Sequence, residues 1–305
     1  MEIHKLLRGF FPLFLFFFLI FFDKLYAQKF SGEVAFKYLI AQTNLGYRYP
    51  TSIGHKKLRL YFNHFFKKRG INFEIDSFRV NLKNTIYKKD TVIWGYNYII
   101  HFYHNNNKPL IFIGAHYDTR LKADKDYDMG CHVLGANDGA SGVSIIMHLI
   151  DILDKSRLKY SIDFILFDLE DQGTYESDTT FCYGSQYYAS KILYNKYLFG
   201  IILDMVGDKD LDIYYERNSY YSSREVLEKI YGISKSLNYN FISPKVVFSI
   251  YDDHIPFIEK GIPTIDLIDF NYPYWHTCYD IPENTSSESL EKVGRVIELF
   301  LYQGL

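Results

Sequence analysis

Four side chains in this 305-residue chain, Asp138, Glu170, Asp171 and His276, have the types and neighbours needed to hold a metal and move protons. Two carboxylates and an imidazole form an oxygen/nitrogen donor set suited to Zn²⁺, with coordination positions left for water or substrate. Glu170 and Asp171 are adjacent, and neighbouring residues at a strand end point in different directions, so one can bind metal while the other carries protons. His116, Asp118, Asp204, Asp252, Asp269 and Trp275 are further polar or aromatic candidates. Each also has an ordinary reading when taken alone. Asp138 before a helix reads as an N-cap, Glu170-Asp171 as a solvated loop and His276 as a half-buried, hydrogen-bonded histidine.

Where these residues fall along the chain separates the two kinds of reading. From residue 109 on, short apolar runs alternate with amphipathic stretches. Strands are expected at 109–114, 162–169, 198–206 and 264–268, and helices at 140–153, 183–194, 222–237, 254–260 and 287–302. Upstream, Leu58, Tyr61, Phe62, Phe65 and Phe66 recur at helical spacing over 52–68, with Gly70 as a stop. Two alternating stretches at 72–82 and 91–104 read as paired strands. Residues 31–50 read as an irregular arm. The pattern predicts a single α/β domain with a central mixed, mostly parallel sheet and helices on both faces. In such sheets functional groups gather beyond the carboxyl ends of the strands. His116 and Asp118 follow the first of the four strands, and Glu170-Asp171 the second. Asp204 closes the third, Asp269 and Trp275-His276 follow the fourth, and Asp138 lies in the loop that opens the helix at 140. Five such placements point to one convergent site.

The composition sets the outer limits. Hydrophobic residues make up 48% of the chain and the formal net charge is −2, so it can bury a large core and shows no basic face for a nucleic acid. Lys5 and Arg8 precede an apolar run from Phe10 to Phe22 that ends near Ala27. Thirteen helical residues span about 20 Å, short of the roughly 30 Å hydrocarbon core, so residues 1–27 read as a secretory signal with a membrane anchor as the alternative. The expected location is outside the cytoplasm: periplasmic, secreted or anchored to the inner membrane. Cleavage after Ala27 would place Gln28 at the new N-terminus. Three widely spaced cysteines, Cys131, Cys182 and Cys278, allow one disulfide with one thiol left over, and lack metal-type pairing.

Six motifs occur in order: Gly114-Ala115-His116-Tyr117-Asp118, the run from Gly135 to Gly142, Phe167 to Asp171, Leu203 to Gly207, Asp252 to Phe257, and Trp275-His276-Thr277. Together they resemble the zinc aminopeptidase superfamily and, within it, the animal and bacterial type of glutaminyl cyclase (glutaminyl-peptide cyclotransferase). The resemblance implies one zinc per chain on Asp138, Asp171 and His276, with Glu170 as general base and acid. Asp204 and Asp252 would form a supporting acid network, and Trp275 a wall of the substrate pocket. The implied reaction closes an N-terminal glutamine of a peptide or protein into pyroglutamate and releases ammonia, and the chain is expected to act as a monomer. A dinuclear aminopeptidase remains the alternative, because His116, Asp138, Asp171, Asp204 and His276 could hold two zincs. Asp252-Asp253-His254, where aminopeptidases tend to have Ser-Asp-His, and the Trp275 triplet resemble the cyclases. A non-catalytic binding relative would be expected to have lost Glu170 or a ligand, and this chain has lost neither. Three departures stand out: Asp171 occupies a position where the animal enzymes carry Glu, Ala115 and Val143 occupy their disulfide positions, and the loop from Gly173 to Phe181 does not reproduce their substrate-contacting aromatic.

Overall fold

The computed structural model describes residues 29–82, 91–126 and 130–305. The N-terminal apolar run and Gln28 lie outside the described residues. The chain forms one α/β domain around a six-stranded mixed sheet in the order β1-β2-β4-β3-β5-β8. β1 (Asn72–Leu82) pairs antiparallel along its whole length with β2 (Thr91–Tyr103), and β2 runs antiparallel to β4 (Ser161–Phe167). β3 (Leu110–His116), β4, β5 (Gly200–Asp204) and β8 (Thr264–Ile268) are mutually parallel. Their carboxyl ends therefore open at one edge. β3, β4, β5 and β8 are almost wholly buried and rich in Ile, Leu and Phe, as expected of strands covered on both faces.

Three elements differ from the sequence expectation. The stretch read as an irregular arm contains α1 (Gly32–Thr43), which packs on α3 (Ala140–Ile152) and α7 (Ser287–Gln303). Its buried face is Ala35, Leu39, Gln42 and Thr43, too few strong apolar residues to show a period. A two-stranded parallel sheet of β6 (Ile213–Glu216) and β7 (Ile242–Phe248) stands apart from the main one, and neither strand is apolar enough to announce itself. The helix expected at 222–237 starts earlier, as α5 (Arg217–Ser236), and is kinked where Ser223 leaves helical geometry at φ −151°. The remaining helices, α2 (Ile53–Lys68), α4 (Tyr183–Lys191) and α6 (Ile255–Glu259), lie where the sequence placed them.

The approach of α3 to the sheet positions the site. A Cβ on Gly142 would lie 2.1 Å from the Leu203 carbonyl oxygen, so only glycine lets α3 sit this close to β5. The loop before α3 and the end of β5 are thereby brought together.

Glu216 ties the smaller sheet to the main body. Its buried carboxylate accepts from the backbone N–H groups of Asn218, Ser219 and Ile250 at 3.0, 2.7 and 3.1 Å, and lies 3.1 Å from His254 Nε2. Burial alone would raise its pKa, but His254 and the amides outweigh burial and bring it down to about 2. A depressed folded-state pKa stabilises the protein above the unfolded value, here 4.5, and that stability is lost as pH falls towards 2. Glu216→Gln is therefore expected to flatten the acid limb of the stability curve between about pH 4.5 and 2, removing on the order of 3 kcal/mol. Urea midpoints measured across that range for both proteins check this; an unchanged acid limb would contradict it.

Candidate active site

Asp138, Glu170, Asp171, Asp204, Asp252, Trp275 and His276 all line one cavity of about 210 Å³ at the carboxyl edge of the parallel strands. Asp269 does not line it. Its buried carboxylate instead accepts from the N–H groups of Asp212 and Asn271, a turn-holding task.

Each polar group is fixed by backbone contacts before any ligand arrives. Asp118 accepts from the N–H of Glu170 at 3.0 Å and of Asp171 at 3.4 Å, and from the Gln172 side chain at 2.8 Å. Arg120 donates to the carbonyls of Asp171 and Gly173 at 2.9 and 3.0 Å. The turn bearing the acidic pair is thus clamped from both sides. Asp280 does the same for the loop before α3, accepting from the N–H groups of Asn137 and Asp138 at 2.8 and 3.1 Å. Fully buried Arg48 donates to the carbonyls of Tyr117, Leu134 and Gly135 at 3.3, 2.7 and 2.6 Å. Burial draws the Arg48 pKa down to about 10, against the pull of Asp280, Asp138 and Asp118, which leaves it a charged neighbour of the acidic loop. The N-cap of α3 is Gly139, with φ 95°, and no side chain caps it. Asp138 is therefore free of capping duty.

Four of the six described non-glycine residues with positive φ surround the site: Leu169, Cys182, Met205 and His276. Such conformations cost about 1–3 kcal/mol each and persist where packing over-determines them, typically at functional sites.

The geometry of a cation site is present. His276 Nε2 lies 2.8 Å from Asp171 Oδ1 and 3.6 Å from Asp138 Oδ2. On the other side of the ring, Nδ1 lies 2.7 Å from the Tyr175 hydroxyl and 3.1 Å from Asp124 Oδ1. A carboxylate behind Nδ1 holds the proton there and turns the Nε2 lone pair towards Asp138 and Asp171, the usual support for a metal-binding histidine. Burial would lower the His276 pKa, but Asp171 and Asp124 raise it to about 9. Asp138 Oδ2 and Asp171 Oδ2 are buried without a hydrogen-bond partner among the described residues, although such oxygens need one. Two carboxylates with orphaned oxygens beside an oriented imidazole fit a bound divalent ion.

A second set adjoins the first. His116 Nε2 lies 3.1 Å from both Asp138 Oδ1 and Asp204 Oδ1. Burial works against the charge on His116, yet Asp204, Asp118 and Asp138 raise its pKa well above the ordinary value. Glu170 is pushed well above the carboxylate range by burial, opposed by His116 and reinforced by Asp171, Asp252 and Asp253. Burial likewise raises Asp204 and Asp252. Three carboxyls beside the oriented donor set are thus disposed to hold protons. Cys182 donates to Glu170 Oε1 at 3.3 Å and, through its backbone, to the Glu170 carbonyl at 2.8 Å.

Sequence reading missed Arg48, Arg120, Asp124, Asp280 and Tyr175. The loop from Gly173 to Phe181 brings Tyr175 and Phe181 to the cavity wall beside Phe270 and Trp275. Cys131 and Cys278 form the one disulfide, with a Cα–Cα distance of 6.0 Å, and tie the loop before α3 to the segment carrying His276.

Asp118→Asn would leave the Glu170 and Asp171 amides without a full acceptor. Hydrogen exchange at those two amides is expected to accelerate at least tenfold, with stability lowered by about 1–3 kcal/mol. Unchanged protection at both amides would refute the clamp.

Comparison with known proteins places this geometry. The family model described as Peptidase family M28 matches residues 97–301. The glutaminyl-peptide cyclotransferase of Bothrops jararaca is 26% identical over 295 residues, covering 85% of this chain and 77% of that protein. The crystal structure of Tannerella forsythia glutaminyl cyclase superposes with a TM-score of 0.83 at 28% identity, covering 91% of this chain and 100% of that one. A structure described as a leucine aminopeptidase precursor from Bacteroides thetaiotaomicron gives 0.84 at 27% identity, covering 92% and 99%.

Proposed function

The chain belongs to Peptidase family M28, and within it we propose that this protein is a zinc-dependent glutaminyl cyclase acting on N-terminal glutamine of peptides and proteins. One observation carries the reading: Glu170, Asp204 and Asp252, carboxyls with raised pKa values, line the same cavity as the donors Asp138, Asp171 and His276. A set of proton-holding acids beside one complete ligand group suits a reaction that needs internal proton transfer and no external nucleophile.

Asp138, Asp171 and His276 would hold the zinc, which when bound supplies Lewis-acid polarisation of the substrate γ-carbonyl. The chain's own residues do the rest. The cavity, walled by Trp275, Tyr175 and Phe270, is below the 300 Å³ at which drug-sized sites begin, and so fits one folded side chain better than an extended peptide. Holding the α-amine against its own side-chain amide gives the near-attack geometry. The α-nitrogen bonds to the side-chain carbonyl carbon, Cδ of the glutamine, and the bond from that carbon to the amide nitrogen breaks. Glu170 takes the proton from the attacking amine and returns it to the departing nitrogen, which leaves as ammonia. Burial raises the proton affinity of Asp204 and Asp252, which lessens the negative charge around Glu170.

A second reading, a dinuclear aminopeptidase, is favoured by one observation: His116, Asp138 and Asp204 offer a second group of ligand atoms within 4.8 Å of one another. In the cyclase reading His116 spans Asp138 and Asp204 by hydrogen bonds, as its equal 3.1 Å distances allow. Export is part of the proposal, supported by the Cys131–Cys278 disulfide, a bond that persists in oxidising compartments. Among the described residues no helix is long and apolar enough to cross a membrane. A monomer remains the proposed state.

A paired assay on glutaminyl- and leucyl-peptides separates the two readings: ammonia release is expected from the first, and free leucine from the second would favour the aminopeptidase. Glu170→Gln is expected to lower cyclisation by about 10²–10⁴-fold with zinc content unchanged. Near-normal turnover by that variant would overturn its proton-transfer role.

A further inference from the structure

At the opposite end of β4 from Glu170, three side chains meet that the proposed reaction does not use. His101 Nδ1 lies 2.9 Å and His104 Nε2 2.6 Å from the same oxygen, Oδ1 of Asp163. Asp163 is fully buried, while His104 is about half exposed.

The backbone is irregular where it makes this convergence. Residues three apart on a regular strand face opposite sides of the sheet. The pairing of β2 with β4 shifts by one residue between His101 and Tyr103, a bulge that re-aims the side chains beyond it. His101 stands opposite Asp163 in the register, and the bulge returns His104 to the same side. The turn after His104 is fixed by Ser161, whose hydroxyl accepts from the Asn105 N–H at 2.9 Å and donates to the Asn105 carbonyl at 3.0 Å.

The surrounding groups set the chemistry of the facing atoms. Tyr197 donates to Asp163 Oδ2 at 2.8 Å, which orients the carboxylate and leaves Oδ1 to the histidines. His101 Nε2 lies 3.3 Å from Glu74 Oε1. With its proton on Nδ1, neutral His101 donates to Asp163; with the proton on Nε2, towards Glu74, it turns the Nδ1 lone pair to Asp163 Oδ1, the tautomer suited to a cation. Two imidazoles with a buried carboxylate are a recurrent ligand set for zinc and its neighbours, and His101, His104 and Asp163 bring one ligand atom each within 4.8 Å of one another.

We infer that His101, His104 and Asp163 form a second divalent-metal site of zinc type, separate from the catalytic cavity, which pins the end of β2 to the start of β4. The half-exposed position of His104 gives the ligands room to open around an ion and leaves a coordination position to water. Glu74 and Tyr197 act as orienting groups for His101 and Asp163.

The test uses the full chain, stripped by chelator and titrated with Zn²⁺ alone, with metal per chain counted by mass spectrometry. The wild type is expected to bind one equivalent more than His104→Gln or the double variant His101→Gln/His104→Gln, with cyclisation unaffected. The difference counts this site whether the catalytic cavity takes one ion or two, so its outcome is independent of the functional reading. Equal stoichiometry in folded wild type and variants overturns the site. Should the variants fail to fold, carbethoxylation of the wild type decides: Zn²⁺ is expected to protect His101 and His104 from diethyl pyrocarbonate, and unprotected histidines at saturating Zn²⁺ refute the inference.

Discussion

The structure depends on the repulsion among carboxylates brought to one sheet edge. Asp118, Asp138, Asp171, Asp204 and Asp252 are buried, and Glu170 nearly so. Two like charges 4 Å apart repel by about 4 kcal/mol even at an effective dielectric constant of 20, so a set this dense cannot be ionised without compensation. Each member meets the constraint differently. Asp118 is surrounded by N–H donors and faces His116, which holds its pKa down against burial. Glu170, Asp204 and Asp252 are pushed by burial to a higher proton affinity than an ordinary carboxylate. Asp138 and Asp171 carry orphaned oxygens with an oriented imidazole between them, an arrangement that a divalent cation completes. Electrostatic necessity thus divides one acidic cluster into anchors, carboxyls of raised proton affinity and the pair proposed above as ligands.

The anchors show how much of this could be read beforehand. Residues at strand ends were legible because a buried parallel strand announces itself as an apolar run, and the polar residue that follows it stands out. Glu170, Asp171, Asp204 and His276 were found this way, as were the sheet and most helices. Arg48 and Asp280 were not. Each acts on backbone groups of a loop distant in sequence: 87 residues separate Arg48 from Gly135, and 143 separate Asp280 from Asn137. No local period records such a partnership. α1 escaped for a related reason, since its buried face is small and partly polar and its helicity comes from docking onto α3 and α7.

Backbone strain follows the same division. Leu169 precedes Glu170, Met205 follows Asp204, and Cys182 touches Glu170, each in left-handed geometry that L-residues rarely adopt. These conformations turn the chain sharply where a strand must end and a side chain must face the cavity. The clamps formed by Asp118, Arg120 and Asp280 supply the interactions that offset the strain. Rigid loops, rather than the strands themselves, fix the distances on which the chemistry rests.

The disulfide between Cys131 and Cys278 joins points 147 residues apart, nearly half the chain. Contacts of such high sequence separation form late, because a long loop must close before they return any free energy. His276 lies two residues from that link, so the donor set becomes whole only when the last strand, β8, and the segment beyond it have docked. An ion that needs all three donors binds the finished molecule and gains little from partly folded ones. By mass action it draws the population towards the completed fold, acting as a quality check on the folding of the whole chain.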